Sequence, residues 1–290
     1  MAILIGPKTK IICQGLTGRT ASYHIERAMA YGSNIVGGVR PGKGGTRHLD
    51  VPVFNSVSEA VKQTGADASI IFVPPPTAAD AMIEAIEAEV PVVVCVTERV
   101  PVLDMVRVKD ALEGSKTRLA GPNSQGILTP QACKLGVMST VHERPGSIGI
   151  VSRSATLTSE IMAQTSAAGL GQSTTVGIGG DPVHGIGFVE CLELFMDDPE
   201  TRGVILIGEI GGAEEELAAE YLQSIKAAKP VIALIAGRHA PPERRMGHAG
   251  TLTLFGRADA NQKIKSLRSA GVHIAPHPQD VAETMRQSLD

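Results

Sequence analysis

Residues 244–250 read Arg-Arg-Met-Gly-His-Ala-Gly, which sets one histidine, His248, between Gly247 and Gly250 and just after two arginines. A neutral imidazole is a competent nucleophile toward phosphorus. The phosphohistidine it forms is an anion that needs N–H donors around it. Glycines on either side let the backbone approach whatever the ring carries. An ordinary surface turn can also hold a histidine, so the distinction rests on which other groups converge on His248.

One candidate is Glu209 in the apolar run Gly-Glu-Ile-Gly-Gly, 208–212. A carboxylate at such a strand end must find a hydrogen-bond partner or change its ionisation. A histidine N–H suits it, because that bond fixes the tautomer and frees the other ring nitrogen. An arginine partner, or capping of the helix expected after it, suits the spacing equally. A second candidate is the hydroxyl-rich helix start at Ser154, Ala155 and Thr156, whose free N–H groups offer partial positive charge to an anion. Capping alone accounts for Ser154.

Near the N-terminus, Cys-Gln-Gly-Leu-Thr-Gly-Arg-Thr-Ala, 13–21, is a relative of the dinucleotide fingerprint, with Gly15, Gly18 and Ala21 at three-residue spacing. Small residues there admit a phosphate to the opening of a helix. The next strand ends not in an acid but in Gly-Gly-Val-Arg-Pro-Gly-Lys-Gly-Gly, 37–45. Arg40 and Lys43 at this point disfavour NAD and favour a ligand with an extra phosphate. NADP and coenzyme A are both of that kind.

These residues need a scaffold of parallel strands. Apolar runs at 10–15, 34–39, 68–74, 90–98 and 117–123 are continuous rather than alternating, as in strands covered on both faces. Helical spacing fills the gaps between them. After a loop-rich stretch the alternation restarts, with strands expected at 147–154, 173–180, 203–212, 230–237 and 272–276. Helices are expected at 156–168, 186–197, 213–228, 259–270 and 278–288. Such a series predicts an α/β fold with doubly wound parallel sheets. It divides into a domain over 1–123, a connecting segment over 124–146 and a second domain over 147–290. Loops at the carboxyl ends of parallel strands gather at one sheet edge, so distant residues can meet there.

Bulk properties narrow the partners. The chain has 290 residues, 43% hydrophobic and 20% charged, with net charge −3, and so gives no reason to expect nucleic acid or an anionic membrane. Aromatics make up 3% with no Trp, which disfavours base-stacking platforms. Cys13, Cys95, Cys133 and Cys191 are far apart, so no metal site is expected and a reducing, cytoplasmic location fits. The opening stretch is too short and too soon charged for a signal peptide, and no apolar run reaches membrane-spanning length. A mitochondrial matrix location would require a transit peptide to have been removed.

The stretches Ile-Cys-Gln-Gly-Leu-Thr-Gly (12–18), Val-Gly-Ile-Gly-Gly-Asp-Pro (176–182), 31–61, 198–212 and 244–250 together resemble the alpha subunits of succinyl-CoA synthetases, the ADP- or GDP-forming succinate–CoA ligases. The resemblance covers nearly the whole chain. It implies a Rossmann-like CoA-binding domain followed by a flavodoxin-like ligase domain. It implies CoA contacts from Thr17, Gly18, Arg19 and Thr20, from Lys43, and from Val96, Thr97 and Glu98. It implies that His248 is phosphorylated, that Glu209 is its partner, and that the helix opening at Ser154, Ala155 and Thr156 faces the phosphoryl group. It further implies a beta subunit of ATP-grasp fold, in an αβ or α2β2 assembly, that holds ATP or GTP with Mg2+. This chain has no nucleotide triphosphate motif of its own, in keeping with that arrangement.

Departures from the family pattern fall where the acid is expected. Ser124 stands where the family has cysteine, and Ser159 where it has a tyrosine that helps bind the acid. Other changes are Arg19 and Thr20 in the CoA loop and Thr251 after the histidine segment. A dicarboxylate is the expected substrate, succinate or a branched or hydroxylated relative such as malate or itaconate. Two rival classes remain: an NADP-dependent oxidoreductase, for which the second half offers no hydride-transfer constellation, and a non-catalytic CoA-binding regulatory protein.

Overall fold

The computed structural model describes residues 3–241, 244, 246–251 and 259–289. The chain divides into two compact units. One is Leu4–Met138 with Val183–Gly185; the other is Ile3, Ser139–Pro182 and the described residues from Ile186 onward.

The first unit contains β1 (Lys10–Gln14), α1 (Arg19–Tyr31), β2 (Asn34–Val39), β3 (Arg47–His48), β4 (Val51–Phe54), α2 (Val57–Thr64), β5 (Ala68–Ile71), α3 (Pro75–Glu87), β6 (Val92–Cys95), α4 (Val102–Leu112), β7 (Arg118–Ala120), β8 (Gly126–Thr129) and β9 (Cys133–Gly136). Its sheet runs β3-β4-β2-β1-β5-β6-β7. All pairs are parallel except the β3–β4 edge. Numbered along the chain, the six parallel strands lie in the order 3-2-1-4-5-6, the doubly wound order of dinucleotide-binding domains. The apolar runs become buried strands because helices cover both faces; Ile11, Ile12, Cys13, Val93 and Val94 are wholly enclosed. Gly32 and Gly65 end α1 and α2 in left-handed conformations, as expected of helix stops.

The second unit contains β10 (Pro145–Ser152), α5 (Ala155–Ala167), β11 (Gln172–Gly177), α6 (Phe188–Asp197), β12 (Gly203–Glu209), α7 (Glu214–Ile225), β13 (Val231–Ala236), α8 (Ala260–Ser269), β14 (His273–Ile274) and α9 (Val281–Leu289), the last preceded by a 3-10 turn over Pro278–Asp280. Its parallel strands lie in the order β14-β13-β12-β10-β11, which matches the flavodoxin-like winding 2-1-3-4-5 read from the far edge. Phe188 and Phe195 are fully buried against this sheet, and truncating either to alanine would cost about 3–5 kcal/mol. Among the described residues no helix is long and apolar enough to cross a membrane.

Two hairpins depart from the sequence reading. Residues 47–54, not expected as strands, form β3 and β4 around Leu49 and Asp50, both at positive φ (50° and 58°). That is the backbone of a tight primed turn, but without the Asn-Gly or Asp-Gly pair that advertises one. The stretch 124–146, expected as a loop-rich connection, holds β8 and β9, joined by a three-residue loop with Gln131 at φ 57°. Gly126 and Gly136 face each other there, so close that a Cβ on either would strike the other's backbone. Three glycines and two prolines give that segment the look of a loop.

Candidate functional site

In the first unit the winding reverses beside β1, between β2 and β5, and a crevice opens beyond the strand ends. It holds about 560 Å³ and is lined by Gly15, Gly18, Val39, Arg40, Phe72, Val73, Pro74 and Thr77, among others. Gly15 has φ 85°, and a Cβ on it would press Val73 Cγ1 at 3.3 Å, so only glycine fits this turn. Gly18 caps α1 with no side-chain bond and no acid in the first turn, which leaves that positive helix end free for an anion. The Arg40 guanidinium donates a short hydrogen bond to Thr17 Oγ1. Arg19, Thr20 and Lys43 are exposed. The Arg40–Gly45 loop is held by Asn55, whose Oδ1 accepts from the N–H of Gly42 at 2.9 Å and of Gly44 at 3.0 Å.

Val96, Thr97 and Glu98 follow β6. Thr97 Oγ1 donates to the Val73 carbonyl at 2.6 Å, tying this loop to the crevice wall, while Glu98 is exposed beside Arg99. Of the residues named from the sequence as CoA contacts, only Gly18 lines the crevice directly. The Phe72-Val73-Pro74 wall was missed, although a proline run directly after a buried strand is a legible signal for a rigid strand-to-helix turn. Ser124 is buried, and its Oγ accepts from the Gly126 N–H at 2.9 Å as the chain turns into β8.

In the second unit the winding reverses between β10 and β12. Ser152 on β10 is level with Ile207 on β12, so Arg153 emerges next to Glu209. His248 docks here: its Nδ1 lies 2.8 Å from Oε2 and 3.0 Å from Oε1 of Glu209. A carboxylate only accepts, so the neutral ring carries its proton on Nδ1 and keeps the Nε2 lone pair free. The ring is half-buried, while Glu209 is 7% exposed. The hydrogen bond that His248 donates to Glu209 raises the ring's pKa above its ordinary value. Burial and the Arg153 charge work against the rise, and the Asp181 charge supports it.

Arg153, which sequence reasoning passed over, is buried beneath this pair. Its Nε sits 3.2 Å from Glu209 Oε1, and its Nη2 donates to the Asp181 carbonyl at 3.3 Å. The Nε–H is not aligned on the carboxylate, so the contact is one of charge rather than a directed hydrogen bond. Gly180 was also passed over as a site residue. A Cβ there would lie 2.7 Å from His248 Cδ2 and closer still to Cγ. Gly211, at φ 89°, lies against the Gly250 carbonyl. The bulk is therefore stripped from both sides of the contact. Gly247 has φ 80°, the left-handed turn that presents the histidine.

Thr251 closes the loop. Its buried hydroxyl accepts from the Met246 N–H at 2.9 Å and donates to the carbonyl of either Met246 (2.9 Å) or His248 (2.8 Å). Arg244 is exposed, and Arg245 lies outside the described residues. Ser154 caps α5 by accepting from the Leu157 N–H at 3.3 Å, with Ala155 and Thr156 exposed at the helix opening just beyond Arg153. Ser159 is exposed one turn on, its Oγ bonded to the Ala155 carbonyl at 3.3 Å.

Residues 7–99 match the family model for a CoA binding domain, and residues 151–273 match that for a CoA-ligase. The succinate–CoA ligase [ADP-forming] subunit alpha of Staphylococcus aureus is 49% identical over 98% of this chain and 94% of its own length. The protein of the same name from Aquifex aeolicus is 49% identical over 100% of this chain and 95% of its own. Among solved structures, Methanosaeta concilii ATP citrate lyase in complex with (3S)-citryl-CoA shares the fold, with TM-score 0.88 and 24% identity. The alignment covers 99% of this chain and 50% of that one. A dinucleotide-forming acetyl-coenzyme A synthetase 1 from Ca. Korarchaeum cryptofilum has TM-score 0.79 at 19% identity, over 97% of this chain and 61% of its own. With a CoA-binding unit, a CoA-ligase unit and near-full-length relatives at half identity, the chain belongs to the succinate–CoA ligase alpha-subunit family and is an acid–thiol ligase chain.

Proposed function

We propose that this chain carries a phosphoryl group on His248 and holds coenzyme A in its first unit, as the alpha subunit of a nucleoside-diphosphate-forming acid–CoA ligase. The observation that carries the reading is the His248 Nδ1–Glu209 Oε2 bond of 2.8 Å, which leaves Nε2 as the nucleophile. In the first step Nε2 attacks the terminal phosphorus of ATP or GTP, the bond to the bridging oxygen breaks, and the nucleoside diphosphate leaves. Glu209 balances the positive charge that gathers on the ring. In the second step a carboxylate oxygen of the acid attacks that phosphorus, the P–N bond breaks, and its electron pair returns to Nε2. In the third step the CoA thiolate attacks the acyl carbon and phosphate departs.

The nucleotide and its Mg2+ belong on a beta subunit of ATP-grasp fold, paired as αβ or α2β2; the subunit name of the relatives supports such a partner. The first-unit crevice suits a phosphate-bearing ligand. The open N-terminus of α1, the bound Thr17 hydroxyl, Arg40 and Lys43 supply donors and charge, and Gly15 supplies close approach. Thr17, Gly18, Arg19, Thr20, Lys43, Val96, Thr97 and Glu98 are the proposed CoA contacts. Ser154, Ala155 and Thr156 are the proposed phosphate contacts.

Succinate is the first acid to test. A hydroxylated or branched dicarboxylate is the second, because Ser159 presents an exposed hydroxyl on α5 where the family has a bulky tyrosine. Ser124 is the weaker specificity candidate, since its hydroxyl is already engaged by Gly126.

The test is incubation of the complex with γ-labelled ATP or GTP and Mg2+. Acid-labile, base-stable label on His248 is expected. His248→Asn is expected to lose the label and turnover while binding CoA as before. Absence of label with intact CoA binding leaves a CoA-binding regulatory protein instead. An acid panel decides the substrate: succinate preferred by a wide margin would reject the hydroxylated alternative.

A further inference from the structure

Next to the Glu209–His248 pair, in the same unit, lie two charged side chains that the reaction does not use. Lys263 on α8 and Glu215 in the first turn of α7 are both fully buried, with Nζ and Oε2 in short contact. The same ammonium donates to the Gly212 carbonyl at 3.1 Å and to Glu216 Oε2 at 3.0 Å. The other oxygen of Glu215, Oε1, accepts the backbone N–H of Glu209 at 2.9 Å. Gly208 makes room for this, since a Cβ there would lie 2.7 Å from Glu215 Cγ. The segment 209–212 is thus tied at one end by Glu215 and at the other by Lys263. Between the ties sit Gly211 and Gly212, both at positive φ (89° and 64°), the least restrained backbone a chain can have.

A wholly buried ion pair is poor value for stability, because well-packed apolar residues of the same volume hold helices together as well or better. What the pair supplies here is a defined position for one backbone segment. We propose that Glu215 and Lys263 are positioning residues that hold the Glu209 carboxylate on His248 Nδ1 and so set how readily His248 exchanges a phosphoryl group. This rests on the reading of His248 as the phosphoryl carrier. His248 is faced by Glu209 from β12, Arg153 from the end of β10 and Asp181 from the segment after β11. Glu215 is faced by Lys263, whose ammonium also bonds Glu216, and by the Glu209 N–H and Arg153. Burial pushes its carboxyl up, and Lys263, the Glu209 N–H and Arg153 pull it back.

The experiment compares Glu215→Gln, Lys263→Met and the double variant in the complex with the beta subunit. It reads the NMR titration of the His248 ring and the rate of His248 labelling from γ-labelled nucleotide. CoA binding, which resides in the other unit, serves as the control for folded protein. The Glu215→Gln change turns an amide N–H2 group onto Lys263, and Lys263→Met leaves Glu215 as a buried carboxylate stripped of its cation. The double variant removes both charges and keeps an oxygen for the Glu209 N–H. Each single change is expected to lower the His248 titration midpoint and slow labelling roughly tenfold, and the double to regain most of both. A pair that only stabilises the fold would lower Tm without moving the His248 titration. Folded single variants with wild-type titration and labelling, or a double no better than the singles, overturn the proposal. Should Lys263→Met fail to fold, Glu215→Gln and the double decide. Absence of label on wild-type His248 would strike the phosphoryl-carrier reading, and the titration would still test the positioning.

Discussion

The Glu209 hydrogen bond gives His248 a task that works against itself. It keeps the Nε2 lone pair free by fixing the tautomer, yet it also raises the ring's pKa, so the neutral form, the proposed nucleophile, is scarcer at a given pH. Phosphorylation from nucleotide is therefore expected to speed up as pH rises through a midpoint above the ordinary histidine value of about 6.5. Glu209→Gln should move that midpoint down while lowering the plateau on the order of 100-fold, because the ring loses its charge partner in the transition state. Labelling rates measured from about pH 5.5 to 9, a span that brackets the histidine range, check this; an unmoved midpoint in the variant would detach Glu209 from the chemistry. A raised folded-state pKa stabilises the fold below the unfolded-state value, and that contribution is lost as pH rises through the folded one. Gly180 offers a purely steric counterpart. A methyl group there collides with the imidazole, and Gly180 is not among the glycines held at positive φ, so alanine strains nothing but the contact. Gly180→Ala should abolish detectable labelling while CoA binding persists, and normal labelling would mean that His248 works elsewhere than against this glycine.

At the scale of elements, the strands that carry the sites were legible because burial on both faces writes them as unbroken apolar runs. The helices between them fall within about three residues of their expected bounds. What escaped were pieces defined by backbone alone: a primed turn built on Leu49 and Asp50, and a hairpin whose facing Gly126 and Gly136 carry no side-chain pattern. The site divides in the same way. His248 and Glu209 stand out by residue type, but 39 positions of chain separate them, and spacing could not choose between a histidine and an arginine partner. The structure puts both on Glu209. Arg153 was hidden because a single arginine before a helix start looks like any solvated charge. Gly38 gives this scale its own test. It sits on β2, and a Cβ there would come within 2.6 Å of Leu16 Cβ and nearer its Cδ2, in the turn that leads to Thr17 and Gly18. Gly38→Ala should cost about 1–3 kcal/mol by overpacking and weaken CoA by displacing that turn, with His248 labelling unchanged. Thermal unfolding together with CoA titration measures both effects, and a destabilised variant of normal CoA affinity would show the turn to be uninvolved.

Across the whole molecule, one construction rule is used twice. Each unit winds a parallel sheet in two directions and places its candidate site where the winding turns, the first proposed for a phosphate-bearing ligand and the second for phosphoryl transfer to His248. The net charge of −3 cannot attract an anionic thiol such as CoA. In the proposed reading that attraction comes from local sources: the open N-terminus of α1 and Arg40, with Lys43 as a further proposed contact. Its range is then short and its strength dependent on salt. Arg40→Ala should weaken CoA binding by about 1.5–3 kcal/mol, the worth of a charge-assisted hydrogen bond, and flatten the dependence of affinity on ionic strength. Because the proposed phosphoryl chemistry uses the other unit's residues, the same variant should accept label on His248 at the wild-type rate, and His248→Asn should show the opposite pattern. Calorimetric CoA titrations at two salt concentrations, run beside nucleotide labelling of both variants, decide the matter. Slow labelling in Arg40→Ala would mean that the two sites are energetically coupled, and that CoA-site residues share in phosphorylating the histidine.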